Sequence, residues 1–344
     1  MRPSCYNRGR QDRPGKPGVT VAASIGPIRP PSEAYSLLIR VTENCPWNRC
    51  AFCSAYKGQT FRVRPLEEVR ADILAARRLA DEVALWAGRG GLSVGAVARA
   101  NGLIWLGDDG VKSAFLQDSD SLVVRTDQLV AIIELLREAF PELERVCSYT
   151  RGKTLARKRM EDLVRLRRAG LTRVHVGLET GDDELLAYIS KGATAREMVE
   201  GGRKAVAAGL EVSEYVMPGL GGKERWHQHA ENSARVLNQI NPHFIRLRTF
   251  HPIPGTPMHD RMLNGEYHLQ TVVEVLTEVR RLVECLEVSS ELIAGDYAWN
   301  AYLGNVDGRL PDEKAAVLAG IDRALAHWRE RGEPGRRFLR RALN

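Results

Sequence analysis

Short apolar runs alternate with longer stretches of helical period from Ser36 to about residue 250, and this rhythm organises the chain. Residues 35–41 read as a buried strand, followed by a cysteine-bearing loop and a helix over 65–85 with Pro65 at a tolerated first-turn position. Two runs, 103–106 and 113–116, compete to be the second strand. The second is preferred because it lies closer to the helix 126–140, which Thr126 or Asp127 would cap. The same rhythm then predicts a strand at 145–150, a helix over 155–169 closed by Gly170, and a strand at 173–178. Helical segments at 183–190 and 196–208, a strand at 211–217, a helix over 226–239 and a strand at 244–250 complete the series. The Gly- and Ala-rich stretch 88–102 receives no assignment. Beyond Pro252 the pattern is helical again, over 271–286 and 313–331.

Six strand-then-helix units predict a parallel sheet with right-handed crossovers. An open doubly wound sheet and a curved partial barrel both fit that pattern. The polar residues select the barrel: cysteines follow the first strand, acids the second, Ser148 and Arg151 end the third, and Glu179 follows the fourth. Strand C-terminal ends are the functional rim of barrel folds. The expected fold is therefore α/β, a (β/α)6 partial TIM barrel with a helical C-terminal extension. The expected division is a flexible basic arm over 1–30, the barrel over 31–260 and the helical extension over 261–344.

Composition adds exclusions. With 344 residues, 44% hydrophobic and 27% charged, the chain is of ordinary globular type, neither disordered nor fibrous. No run approaches the ~18 apolar residues of a membrane span, and the basic, Pro- and Gly-rich start reads as an arm, not a signal peptide. Six cysteines are too few for a disulfide scaffold, so a cytoplasmic location is expected. The net charge of +7 sits at the ends: residues 1–30 carry six basic groups and one acid, residues 329–344 six and two, leaving the remainder at −2. Basic arms that touch nucleic acid stay possible, while solvated tails are the blander reading.

Three of the cysteines crowd into one loop, Cys45-Pro-Trp-Asn-Arg-Cys50-Ala-Phe-Cys53, directly after the first strand. Soft thiolates this close select zinc or an iron-sulfur cluster. A structural zinc wants four ligands, and the nearest further Cys or His are Cys147 and His175. Three suit a [4Fe-4S] cluster with one iron left open. Incidental or redox cysteines are the third possibility.

The C-x4-C-x2-C triad resembles the cluster loop of radical S-adenosylmethionine (radical SAM) enzymes, whose usual spacing is one residue shorter. The resemblance implies S-adenosylmethionine chelated at the open iron and cleaved to a 5′-deoxyadenosyl radical that abstracts hydrogen from an unidentified substrate. It further implies a low-potential electron donor such as flavodoxin or ferredoxin. Phe52 takes the position of an aromatic near the adenine. The segment Phe115-Leu-Gln-Asp118-Ser-Asp120 resembles, in acidic form, the turn that receives the substrate ammonium; Gly107-Asp108-Asp109 is a rival on chemistry. Arg151 suits the methionyl carboxylate and Ser148 a sugar or carboxylate. The string Val174-His-Val-Gly177-Leu-Glu179-Thr-Gly181 is similar to the fourth-strand segment of the coproporphyrinogen oxidase and methylthiotransferase branch, which implies a ribose-binding Glu179; a buried salt bridge is the alternative. Met217 to Gly222 forms a glycine-rich turn, and Arg246 with Arg248 would share one strand face toward an anionic substrate. Tyr149 and Cys147 are candidate donors in the substrate half-reaction. Two rivals remain at this stage: a radical methyltransferase or tRNA-modifying enzyme, and a non-catalytic zinc-bearing RNA-binding protein.

Overall fold

The computed structural model of the protein describes residues 25–304 and 306–332. Its main sheet has eight strands in chain order: β1 (Leu37–Arg40), β2 (Ser113–Gln117), β3 (Arg145–Thr150), β4 (Leu171–Glu179), β5 (Glu211–Val216), β6 (Phe244–Leu247), β7 (Glu291–Ile293) and β8 (Gly308–Arg309). Neighbours from β1 to β7 pair in parallel, and β8 turns back antiparallel onto β7. The first six strands are those the periodicity predicts, and the fold is the partial barrel. The C-terminal extension is not helical alone. It lends the sheet β7 and β8, each too short to carry a period of its own.

Alternation decides the two faces. Ala114, Leu116, Val146, Val174, Val176 and Val212 are buried together with helix residues such as Ile73, Ile133 and Leu163. Fully burying a side chain of this size contributes about 1.5–3 kcal/mol, so this outer layer is the principal stabilising element. The intervening residues Phe115, Tyr149, His175 and Tyr215 point the other way, into the barrel, with ring centroids 5.2–6.5 Å apart. At the base of this aromatic stack lies Glu33, buried, accepting from Ser36 (2.7 Å) and Arg145 (3.2 Å), with His175 Nε2 at 3.4 Å. Burial alone would raise Glu33, but the His175 hydrogen bond and the Arg145 charge outweigh it and hold it at about 2.

Three local departures have physical causes. The expected helix over 155–169 is two, Gly152–Arg157 and Met160–Ala169. Lys158 is extended between them, and the Lys204 ammonium donates to the carbonyls of Ala156 and Lys158, satisfying the helix end. The unassigned Gly/Ala stretch continues the helix Leu66–Gly90, stops it at left-handed Gly91, and starts a helix Val94–Ala100 capped by Ser93. The end of the expected flexible arm is docked at two points: Gly26 N donates to Gln117 Oε1 (3.0 Å) and Gln117 Nε2 donates to the Ile28 carbonyl (3.0 Å), while Ile25, Pro27 and Arg29 stay exposed. A Cβ at Gly26 would lie 1.7 Å from Asp118 Oδ1. Residues 1–24 and 333–344 lie outside the described residues, and with them the expectation that basic tails touch nucleic acid. Among the described residues, no helix is long and apolar enough to cross a membrane.

Candidate active site

Beyond β1 the chain forms a ribbon, Thr42–Glu43 against Arg62–Val63, which closes the cysteine loop at its root. Inside the loop Asn44 and Asn48 adopt left-handed φ values of 68° and 48°, a conformation that asparagine tolerates better than most side chains. Asn48 Nδ2 donates to the Tyr56 carbonyl (2.6 Å) and Asn44 Nδ2 to the Thr60 carbonyl (2.7 Å), so both asparagines shape the loop from within. Cys45, Cys50 and Cys53 are half-buried free thiols. Burial pushes the thiols of Cys50 and Cys53 upward, so binding a metal centre must displace their protons.

All three cysteines line one cavity of about 570 Å³, together with Phe52, Arg151 and Glu179. Glu179 ends β4 with φ 63°, beyond a register shift against β5. Its Oε1 accepts from Lys191 Nζ at 2.8 Å. Burial works against the Lys191 ammonium, but the charge of Glu179 and the nearby Cys50 outweigh it and lift Lys191 above the usual lysine value. Gly177 makes room for the pair: a Cβ there would lie 2.2 Å from Glu179 Oε1 and 2.9 Å from Lys191 Nζ. Arg151 donates from Nη2 to the Lys191 carbonyl (2.7 Å), and its guanidinium sits 5.1 Å from the Trp47 ring centroid. Trp47 in turn donates to the Ser190 carbonyl (2.7 Å), and its ring leaves Gly192 no room for a side chain, with a Cβ only 2.2 Å away. The cysteine loop is thus fastened to the segment that carries Lys191.

Three residues expected to touch the cofactor do not line the cavity. Both oxygens of buried Asp118 are taken, by Arg40 Nε (2.8 Å) and Asn44 N (2.9 Å) on one and Tyr56 Oη (3.1 Å) on the other. Asp118 therefore ties the cysteine loop to the end of β2. Asp120 accepts from Thr150 (3.0 Å), Thr154 (2.6 Å) and the Arg151 backbone (3.4 Å), and burial pushes it up to about 6. Ser148 donates to the Leu116 carbonyl (3.2 Å) between strands. A carboxylate or hydroxyl enclosed in the fold satisfies itself internally, a demand that strand-end position alone does not reveal. Ser119, between the two acids, does face the cavity. The rival Asp108 accepts from Ser93 (2.6 Å) and Gly95 N (2.9 Å), remote from the site. Of the two candidate donors, Tyr149 lines the cavity; Cys147 lies below it, its sulfur within 4.8 Å of ligand atoms of Glu33 and His175.

The glycine-rich turn after β5 brings Met217 to the cavity and is held from behind. Glu278 Oε1 accepts from Gly219 N (3.0 Å), Tyr267 donates to the Gly219 carbonyl (2.5 Å), and His229 Nε2 lies 3.0 Å from the Met217 carbonyl. Burial pushes Glu278 up to about 8. Lys191, Tyr215 and Tyr297 also line this cavity, and no sequence pattern assigns them a role. A carboxylate placed after an apolar strand demands a cationic partner, which was the available signal for Lys191. Tyr297 arrives from the extension, with no local pattern to announce it.

The donor chemistry fits an iron-sulfur cluster with an organic ligand beside it: three soft ligands on one loop, an aromatic face at Phe52, and paired acidic and basic groups opposite. A sequence model described as the Radical SAM superfamily matches residues 39–231. The chain is 27% identical over 128 residues to a tRNA uridine(34) acetyltransferase of Methanocaldococcus jannaschii, covering 36% of this chain and 22% of that one. It is 26% identical over 141 residues to a biotin synthase of Clostridium botulinum, covering 41% and 43%. The chain thus spans less than half the length of either relative. Among solved structures, coproporphyrinogen III oxidase of Escherichia coli is similar with TM-score 0.49 and 16% identity, over 77% of this chain and 54% of that one. Since the superfamily match takes in more than half of the sequence, from β1 past β5, the chain belongs to the radical SAM superfamily, enzymes that work with a [4Fe-4S] cluster and S-adenosylmethionine.

Proposed function

We propose that the protein reductively cleaves S-adenosylmethionine at a [4Fe-4S] cluster held by Cys45, Cys50 and Cys53, and removes a hydrogen atom from a substrate in the same cavity. The bound cluster supplies the electron for that cleavage, which yields the 5′-deoxyadenosyl radical. The observation that carries the reading is that the three cysteines, Phe52, Arg151 and Glu179 line one cavity although they come from three separate strand-loop units. Glu179, with Oε1 engaged by Lys191, offers its other oxygen to the ribose hydroxyls. Arg151, anchored at Nη2, presents the rest of its planar fork to the methionyl carboxylate. Phe52 faces the adenine, and the backbone around Ser119 accepts from the ammonium, since the neighbouring carboxylates are engaged. Trp47 and Met217 keep water from the reacting centre.

The non-catalytic zinc reading is set aside by membership of an enzyme superfamily. A low-potential donor such as flavodoxin or ferredoxin is the proposed electron source. The deciding experiment is anaerobic reconstitution with iron and sulfide, followed by reductant and S-adenosylmethionine. Formation of 5′-deoxyadenosine is expected; a fully iron-loaded protein that forms none overturns the reading. Deuterium transfer into that product then identifies the substrate. A tRNA arm in the same assay tests the tRNA-modifying alternative, which the similarity to tRNA uridine(34) acetyltransferases supports.

A further inference from the structure

Opposite in sheet order to the cysteine loop, the cavity wall is built from Tyr149, Tyr215, Met217, Arg248 and Tyr297. Arg248 is fixed there. Its guanidinium stands 5.0 Å from the ring centroids of both Tyr215 and Tyr297, Nη1 donates to the Leu247 carbonyl (2.9 Å) and to Asp296 Oδ1 (2.6 Å), and Nη2 donates to Asp296 Oδ2 (3.2 Å). Asp296 is also the ion-pair partner of Arg246, whose Nε donates to Ser213 (3.2 Å).

Two largely buried guanidinium groups therefore share one carboxylate. The phenols beside them do not supply the missing negative charge, because burial holds Tyr149 well above its usual value and Tyr215 at about 12. One surplus positive charge remains on a wall otherwise made of aromatic rings and a thioether. Taking a cation out of water is costly unless an anion compensates it; with Nη1 and one hydrogen of Nη2 engaged, the second edge of the Arg248 guanidinium, Nε with Nη2, is the one that matches a carboxylate's two oxygens. A single surplus charge calls for a monoanion.

We infer that this wall is the substrate-binding half of the cavity, and that it takes an organic carboxylate whose flat, apolar body lies among Tyr149, Tyr215 and Tyr297 while its carboxylate pairs with Arg248. The inference rests on the radical SAM reading of the site, but its test does not need turnover. Cluster-loaded protein with S-adenosylmethionine is dialysed against 3-phenylpropionate or indole-3-acetate and, separately, against the corresponding amides. The acids should be retained at least tenfold more tightly than the amides. In Arg248→Gln that preference should vanish, whereas Arg248→Lys, which keeps the charge but loses the fork, should retain part of it. Iron content and S-adenosylmethionine affinity should stay unchanged in both variants. Equal retention of acids and amides by the unmodified protein, no retention of either acid, or an undiminished preference in Arg248→Gln each overturns the inference. The unmodified protein decides the matter even if a variant fails to fold. Failure here with 5′-deoxyadenosine still formed counts against the carboxylate substrate alone; absence of 5′-deoxyadenosine counts against the function.

Discussion

Glu179 is both the partner of a buried lysine and the proposed ribose ligand, so a single substitution confounds the two roles and a pair of substitutions separates them. Glu179→Gln leaves the Lys191 ammonium, 8% exposed, without its anion. Breaking a buried pair costs about 3–5 kcal/mol, and the lower end applies because Glu179 opens onto the cavity. With an unfolding entropy of ~2.1 cal/mol/K per residue, a loss of about 3 kcal/mol lowers the Tm of a chain this long by about 4 °C. Charge-assisted hydrogen bonds to ribose hydroxyls contribute roughly 1.5–3 kcal/mol each, so the same variant should weaken S-adenosylmethionine binding at least about tenfold, or ~1.4 kcal/mol. Adding Lys191→Met removes the stranded cation. In the double variant the Tm should recover most of its loss while the cofactor affinity stays low. The Tm is to be measured without S-adenosylmethionine, because a ligand that binds only the folded state raises it by mass action. The dissociation constant comes from equilibrium dialysis of cluster-loaded protein. A double variant that binds S-adenosylmethionine as tightly as the unmodified protein refutes the ribose role and leaves Glu179 a purely structural anion.

Three more expectations follow from the same geometry. Replacing Cys45, Cys50 or Cys53 by Ala should lower bound iron and abolish 5′-deoxyadenosine formation, whereas Cys147→Ala and Cys285→Ala should retain both; iron analysis with the cleavage assay checks this, and full loading in Cys50→Ala contradicts it. Gly177→Ala should displace the Glu179–Lys191 pair and raise the dissociation constant for S-adenosylmethionine several-fold at normal iron content, since its Cβ would intrude on both partners. Burial pushes Glu278 up to about 8, above its unfolded value of 4.5, so the unfolded state binds fewer protons between these values and stability is lost as pH rises toward 8. His229, 3.4 Å from Glu278 and held near 4 by burial, acts in the opposite sense as pH rises from 4 to 6.5, while Glu214, which burial also pushes up to about 8, adds a slope of the same sign as that of Glu278. Urea unfolding at pH 6.5 and 8 should show a drop that Glu278→Gln, which keeps an acceptor for Gly219, reduces; an identical drop in the variant rejects the assignment.

The barrel was legible because each of its first six strands is an apolar run followed by a helical period, and the cysteine loop because three of the six cysteines crowd into nine positions directly after β1. Preferring 113–116 over 103–106 required only distance to the next helix, and β2 falls there. The acids after β2 show the limit of that reasoning. Asp118 and Asp120 sit where a ligand-binding acid belongs, yet which way a buried carboxylate turns depends on Arg40, Tyr56, Thr150 and Thr154, donors scattered across 114 positions of sequence. Arg246 and Arg248 share a face, as alternation predicts, but their common partner Asp296 comes from a segment whose strand is three residues long. Long-range polar pairing leaves no periodic trace, and most of this site's detail is long-range polar pairing.

The fastening of Trp47 onto Ser190 and Gly192 joins two inventories of sulfur and charge into one mechanical part. Between them run further rivets: Ala51 N donates to the Ile189 carbonyl (2.8 Å), and Met258 N donates to the Ala51 carbonyl (3.1 Å). The loop proposed to hold the cluster is consequently also the abutment for the lysine that steadies Glu179. If the loop holds the cluster as proposed, loss of the metal should slacken the Glu179–Lys191 corner of the cavity as well, because the same contacts hold both.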